Sequence, residues 1–329
     1  MTKFRVSNGF AIAAAVCAVA CSGAPGGSDP SNQEASQPSQ GASGQATNSN
    51  GATAHRATYV PMPTQERGSR DFVGAAGNGH VHMVYRGGPV ISNVKIYAVF
   101  WGSNVPNQSD LAGFYTAIAN SAYVDQLSEY DTSRQKIGRG QFVSSYVDTD
   151  APSDAQVSDD AVQQELSRLV GNGSLPQPDG NTLFMVHFPA GVTINMQNAN
   201  SCEQFCAYHS SFSSGGNPYT GGGNPTYYAV MPDYTGDCSK CSTVDSSPFN
   251  DTTVVASHEV AEAITDPNIG VANTTQDEHQ LGWYDDKNDE IGDVCEGQSA
   301  TFAGYRVTKL WSNRVNACIA PKSGAGASH

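Results

Sequence analysis

The chain has 329 residues, with 17 Lys+Arg against 31 Asp+Glu and a formal charge of −14. That balance offers no basic footprint for nucleic-acid phosphates and no electrostatic attraction to an anionic membrane surface. Charged residues make up 15% of the chain, below the roughly 25% of an ordinary soluble domain, and 34 Gly and 17 Pro mark it as loop-rich, while 38% hydrophobic residues suffice for one sizeable core.

Residues 1–20 read as a signal peptide. Lys3 and Arg5 form a basic front, and Phe10 to Ala20 is an apolar run too short to cross a bilayer. It ends Ala18-Val19-Ala20-Cys21, which resembles a bacterial lipoprotein cleavage box with Cys21 as the lipidated residue; Ala18 stands where such boxes usually carry Leu, and cleavage by ordinary signal peptidase is the alternative. Ser22 favours the outer membrane. Residues 21–75 are Ser, Gly, Gln, Asn, Ala and Pro with few large apolar side chains, so they cannot bury enough surface to offset their ordering entropy and read as a disordered linker. The folded body is expected over 76–321, followed by a flexible tail at 322–329.

Eight cysteines less Cys17 and Cys21 leave six, an even count that implies disulfides in an exported chain. Spacing suggests Cys202–Cys206, Cys238–Cys241 and Cys295–Cys318. Cys238-Ser-Lys-Cys241 as a redox pair, structural zinc on four cysteines, and Cys206 as a thiol nucleophile are weaker alternatives.

Within the body, Val94–Trp101 reads as a strand ended by Gly102, and Asp110 to about Glu129 as one amphipathic helix with Leu111, Tyr115, Ile118, Tyr123 and Leu127 as its stripe. A strand follows near Gln141–Val147, then a helix capped by Ser158 and closed after Val170 by Gly171-Asn172-Gly173. Leu183–Phe188 and Tyr227–Met231 read as short strands, separated by a Gly- and Asn-rich loop holding Cys202 and Cys206. The order predicts an α+β fold, a mixed β-sheet packed with helices.

The segment from Asn250 to Pro267 carries the chemistry. Asn250 or Asp251 is the expected cap, and Pro267 ends the helix because the residue before proline avoids the α region. His258 and Glu262 are four apart and emerge on one face a turn apart, with Glu259 beside them. His-Glu-x-x-His helices present two zinc ligands and a general base in this geometry; here the second ligand position is Glu262, which makes the site harder and more anionic. Zinc is the leading ion, with Ca, Mn and Fe as rivals. A third ligand is expected from Trp283 to Cys295, where Glu290 and Asp293 are candidates, one ligating while the other orients His258. The same segment also reads as a hairpin turning at Asp286-Lys287-Asn288-Asp289 with its carboxylates in solvent, or as a structural calcium site on Asp285, Asp286 and Asp289. His80 and His82 alternate as in a strand, His187 suits a core or rim histidine, Tyr208-His209 suits a cleft wall, and His279 lies in the loop after the helix.

Several segments together resemble the Exordium-like, or phosphate-induced protein, family in a bacterial form: Gly87-Gly88-Pro89-Val90 running into the first strand, Cys202-Glu203-Gln204-Phe205-Cys206-Ala207-Tyr208, His258-Glu259-Val260-Ala261-Glu262-Ala263, Trp283-Tyr284, Glu290-Ile291-Gly292-Asp293-Val294-Cys295, Leu310-Trp311-Ser312 and Ala317-Cys318. They keep their order from Gly87 to Cys318. The resemblance implies an exported, disulfide-containing protein and brings no active site with it.

The residues themselves predict a cell-envelope metallohydrolase with a zincin-like core and a His-Glu-x-x-Glu active helix. His258, Glu262 and Glu290 or Asp293 hold the ion, and Glu259 takes a proton from water. The expected substrates are peptide or amide bonds. The rival class is a non-catalytic binding or signalling module with a structural ion or polar network, in which Tyr208, Tyr219 and Trp283 meet an extracellular peptide or saccharide. In either class no nucleic acid is expected, membrane contact runs only through the lipid anchor, and the chain is a monomer.

Overall fold

The structure is a computed structural model. It describes residues 81–322 except 153–154, 197, 214–224, 242–246, 270–279 and 288, together with the backbone of Val60–Pro61. The chain divides into two compact units, Met1–Gly44 and Gln45–His329, and only the second contains described residues. The signal peptide, Cys21, nearly all of the linker, His80, Tyr219 and His279 lie outside the described residues. No helix among the described residues is long and apolar enough to cross a membrane.

In chain order the strands are β1 (Val60–Pro61), β2 (Val84–Tyr85), β3 (Asn93–Trp101), β4 (Gly138–Asp148), β5 (Gln156–Ser158), β6 (Thr182–His187), β7 (Thr193–Met196), β8 (Ala199–Asn200), β9 (Phe205–Phe212) and β10 (Thr226–Met231). They continue with β11 (Trp283–Tyr284), β12 (Ser299–Phe302), β13 (Tyr305–Thr308), β14 (Leu310–Ser312) and β15 (Ala317–Ile319). The α-helices are α1 (Gln108–Ala119), α2 (Ala122–Asp125), α3 (Asp159–Gly171) and α4 (Pro248–Thr265). The fold is α+β, as the sequence predicts.

A six-stranded mixed sheet runs β1-β9-β10-β6-β3-β4. β4, β3, β6 and β10 are parallel neighbours, β9 is antiparallel to β10, and β1 is antiparallel to β9. Parallel strands require long crossovers, which α1 with α2 supplies from β3 to its neighbour β4 and α3 from β4 to β6 on the far side of β3. Strand pleating then sorts the side chains into two cores. Ile96, Ala98, Phe100, Leu183, Met185, Tyr227, Ala229 and Met231 meet α1 and α4 on one face. Val99, Trp101, Phe184, Val186, Tyr208, Tyr228 and Val230 meet Val162, Leu166 and Leu169 of α3 on the other. With both faces covered, β6 and β10 are buried at every residue, which is why they read as continuous apolar runs rather than alternating ones.

Three expectations change. The single helix over Asp110–Glu129 is instead α1, α2 and a 3₁₀ turn at Gln126–Tyr130. The Ser121 hydroxyl closes α1 by donating to Ile118 O (2.7 Å) and opens α2 by accepting from Tyr123 N (3.1 Å), so one side chain ends one helix and starts the next. The loop around Cys206 contains β9, an eight-residue strand hydrogen-bonded to β10. Tyr208 is accordingly buried rather than available to a ligand, and its hydroxyl donates to Asp159 Oδ1 at 2.7 Å.

The disulfides are Cys202–Cys238, Cys206–Cys241 and Cys295–Cys318. The third pairing matches the expectation; the local pairings Cys202–Cys206 and Cys238–Cys241 do not. Cys238 and Cys241 lie in a 3₁₀ helix (Gly236–Cys241), where residues three apart eclipse, so both face the start of β9 and each meets a different cysteine there. The two bridges close segments of 36 and 35 residues, each constraining the unfolded chain by about 4 kcal/mol in the loop-entropy picture. All six cysteines being paired, the redox, zinc and thiol-nucleophile alternatives fall.

His187 is a core residue, 2.8 Å from the Tyr115 hydroxyl through Nε2, and burial pushes its imidazole from the ordinary 6.5 down to about 3. Between those two values the unfolded chain binds a proton that the folded chain refuses, so acidification withdraws stability. Urea unfolding is expected to show the wild type losing about 2 kcal/mol more than His187→Gln between pH 7 and pH 5. Equal losses would mean that the imidazole is protonated in place.

Candidate metal centre

α4 is the spine of the site. Its cap is Ser247, whose hydroxyl accepts from Asn250 N (3.4 Å), and Pro248 occupies the first turn, where its missing N–H is harmless; the cap expected at Asn250 or Asp251 lies one turn too late. The helix stops at Thr265, two residues before Pro267, and Asp266 N closes it on Glu262 O at 2.7 Å. Every residue from Thr253 to Thr265 is buried, because α4 lies between the β9–β10 side of the sheet and the β12–β13 hairpin. Its rotation is fixed at Ser257, whose hydroxyl accepts from Thr308 N (2.9 Å), while Tyr123 OH donates to Thr308 O at 3.1 Å.

With that rotation set, His258 and Glu262 point together as the spacing predicts: His258 Nε2 lies 2.9 Å from Glu262 Oε1 and 3.4 Å from Asp293 Oδ1. Asp293 arrives on a short loop. Asp285 and Asp289 exchange backbone hydrogen bonds at 3.0 Å to make the turn, and the chain then enters a 3₁₀ helix at Asp293–Cys295. Gly292 N and Asp293 N both donate to Glu262 Oε1, at 2.9 and 3.1 Å. Behind them Trp311 N donates to Ile291 O (2.8 Å), and the Cys295–Cys318 bridge ties the loop to β15.

The sequence reading missed the full role of His209, which it placed only on a cleft wall. In β9, His209 pairs opposite Ala229, and pleating turns it to the α4 face. Its Nδ1 lies 3.3 Å from Glu259 Oε2 and 3.8 Å from Glu262 Oε2; its Nε2 lies 3.2 Å from Asp266 O and 3.5 Å from Glu290 Oε1. Asp266, also not anticipated, accepts from Gly282 N at 2.8 Å through Oδ1. The two downstream acids therefore separate: Asp293 joins His258 and Glu262, whereas Glu290 joins His209 and Glu262. Each of these groups of three brings its ligand atoms within 4.8 Å of one another.

Four buried carboxylates (Glu259, Glu262, Asp266, Glu290) and the half-buried Asp293 thus share one site with two imidazoles. Among the described residues, every ion-pair contact of Glu259, Glu262 and Asp293 is to His209 or His258, with no lysine or arginine. Burial and then the Asp293 charge raise the Glu262 carboxyl to about 7 against the pull of His258; burial raises Asp266 to about 7 against its Gly282 hydrogen bond. Burial opposes charge on both histidines, yet surrounding carboxylates prevail: Glu259 foremost raises His209, and Glu262 with Asp293 raises His258 well above its usual value. Glu259 Oε1 and Asp266 Oδ2 are buried without a hydrogen-bond partner, and His258 Nε2 has only its ion-pair contacts to Glu262 and Asp293. Buried polar atoms are seldom left so, and a cation would satisfy them together.

The calcium alternative fares differently. Asp285 accepts from His82 N and Lys287 N, each at 3.0 Å, Asp286 pairs with Arg86 at 2.5 Å, and Asp289 accepts from Tyr284 OH at 2.9 Å. These carboxylates serve the hairpin turn. His82 is exposed and Trp283 half-buried. No protein-family model, curated protein or solved structure matches the chain.

Gly292 is where the loop meets α4 most closely. A Cβ there would stand 2.8 Å from Glu262 Oε1 and from His258 ring atoms, although its φ of −83° is open to any residue. Gly292→Ala is therefore expected to act through crowding alone, costing about 1–3 kcal/mol in urea unfolding and weakening metal uptake in a direct titration. A variant as stable and as metal-competent as wild type would show that this contact does not position the pair.

Proposed function

We propose that the protein is an exported, metal-dependent hydrolase of the Exordium-like family, zincin-like in build, lipid-anchored at Cys21 in the cell envelope and acting on peptide or amide bonds. The observation that carries this reading is the convergence of His258, Glu262 and Asp293 beside Glu259, whose Oε1 has no hydrogen-bond partner. A mixed sheet backing a buried His-Glu-x-x-Glu helix supports the zincin-like build, and three disulfides with no membrane-crossing helix among the described residues support export.

His258 Nε2, Glu262 Oε1 and Asp293 Oδ1 would hold the ion, zinc first by ligand chemistry and Mn or Ca as rivals. When bound, a divalent cation supplies Lewis acidity and acidifies water at neutral pH. Glu262 is oriented by the Gly292 and Asp293 amides, and the loop carrying them is held by the Cys295–Cys318 bridge. Glu259 is held through Oε2 by His209 Nδ1, leaving Oε1 to accept the proton of an attacking water. A second reading, a structural ion in a non-catalytic binding module, draws on burial: His258 is 3%, Glu262 2% and Glu290 0% exposed.

The two readings part on Glu259. Pooled fluorogenic peptides incubated with the metal-loaded full chain are expected to be cleaved by wild type, and Glu259→Gln to cut kcat about 10²–10⁴-fold at unchanged metal content. Cleavage surviving in Glu259→Gln would remove the base from the account. A wild type that carries metal and cleaves nothing would establish the structural ion instead.

A further inference from the structure

We propose that the centre is dinuclear, with Glu262 bridging two divalent cations, one held with His258 and Asp293 and the other with His209 and Glu290. This rests on the metal-centre reading above and adds a second ion to it. Glu262 faces in two directions. Its Oε1 lies 2.9 Å from His258 Nε2, while its Oε2 lies 3.8 Å from His209 Nδ1. The remaining acids divide between the same two imidazoles: Asp293 lies 3.4 Å from His258 Nε2, while Glu259 lies 3.3 Å from His209 Nδ1 and Glu290 3.5 Å from His209 Nε2, and the His209, Glu262 and Glu290 ligand atoms lie within 4.8 Å of one another.

The state of His209 suits a ligand. Nε2 lies 3.2 Å from a backbone carbonyl, Asp266 O, which can only accept. That bond keeps a proton on Nε2, so Nδ1, 3.3 Å from Glu259 Oε2 and 3.8 Å from Glu262 Oε2, is the nitrogen that would exchange its proton for a cation. Ligating histidines ordinarily donate their other ring N–H in this way, to a carbonyl or carboxylate that fixes the tautomer.

Charge points the same way. Four buried carboxylates and the half-buried Asp293 against one divalent ion and two neutral imidazoles leave three negative charges in a largely desolvated site; a second divalent ion leaves one. Glu259 Oε1, buried without a hydrogen-bond partner, belongs to the carboxylate whose Oε2 meets His209 Nδ1. A carboxylate shared between two ions is the arrangement of hydrolytic two-metal sites, where the pair clamps the attacking and leaving oxygens together.

The test is stoichiometry and coupling in the purified full chain, stripped by chelator and reloaded with Mn²⁺ or Zn²⁺. Wild type is expected to retain two equivalents by elemental analysis, and the Mn²⁺ form to give the low-temperature electron paramagnetic resonance signal of an exchange-coupled pair. His209→Ala and His258→Ala are each expected to retain one equivalent with an uncoupled Mn²⁺ signal, and Glu262→Ala to lose both. Saturation of wild type at one equivalent, with an uncoupled signal unaffected by His209→Ala, would overturn the second site and leave the mononuclear reading standing. No retained metal in folded wild type would overturn both. The wild-type count and spectrum decide the matter even where a variant fails to fold.

Discussion

The structure is organised around an electrostatic constraint: four buried carboxylates, the half-buried Asp293 and two imidazoles share one largely desolvated site. A carboxylate taken out of water must be protonated, paired or bound to a cation, since an isolated buried charge is far too costly to persist. Two imidazoles cannot balance five acids even when both are protonated. The raised Glu262 and Asp266 carboxyls express that imbalance as an appetite for protons, which a divalent cation would answer more completely.

The fold is arranged to hold those groups in register. Parallel pairing in the sheet forces helices onto both faces, and on one of them α4 lies between β9–β10 and the β12–β13 hairpin, so that from Thr253 to Thr265 it has no solvent side. β9 can bring His209 to α4 because it is antiparallel to β10 and its pleat turns that residue inward. The covalent framework sits close to both halves of the site. Cys206, bridged to Cys241, is three residues before His209 on β9, and Cys295, bridged to Cys318, is two residues after Asp293. In each case a strand or loop that delivers a charged side chain into the interior is anchored by a bond that does not depend on the marginal energetics of the core.

What was legible in the sequence follows from how local each signal is. The His258, Glu259 and Glu262 relation depends only on helical periodicity, and the need for an acid from the Glu290–Asp293 segment only on ligand counting, so both could be read before the fold was known. The β6 and β10 runs were legible because strands buried on both faces are apolar throughout. β9 was not, because Cys206-Ala207-Tyr208-His209-Ser210-Ser211 mixes small, polar and aromatic residues and becomes a strand through pairing with β10 and contact with α4. His209 was hidden with it. The disulfides failed for a related reason: proximity in sequence favoured neighbours, while the 3₁₀ geometry of Gly236–Cys241 sends Cys241 to Cys206 in β9 and Cys238 to Cys202 just before it. The Ser247 cap was displaced from Asn250 and Asp251 because Pro248 is well suited to the first turn and extends the helix backwards.

The dependence of the folded state on a cation is tested most directly by calorimetry of the full chain, stripped by chelator and then saturated with Zn²⁺, Mn²⁺ or Ca²⁺. Binding at a hundredfold excess over Kd contributes about 2.7 kcal/mol, and the account predicts that at least one ion raises Tm by about 5–10 °C. A stripped protein that melts at the same temperature with and without every one of these ions would show that protons alone neutralise the buried acids, and would contradict the account.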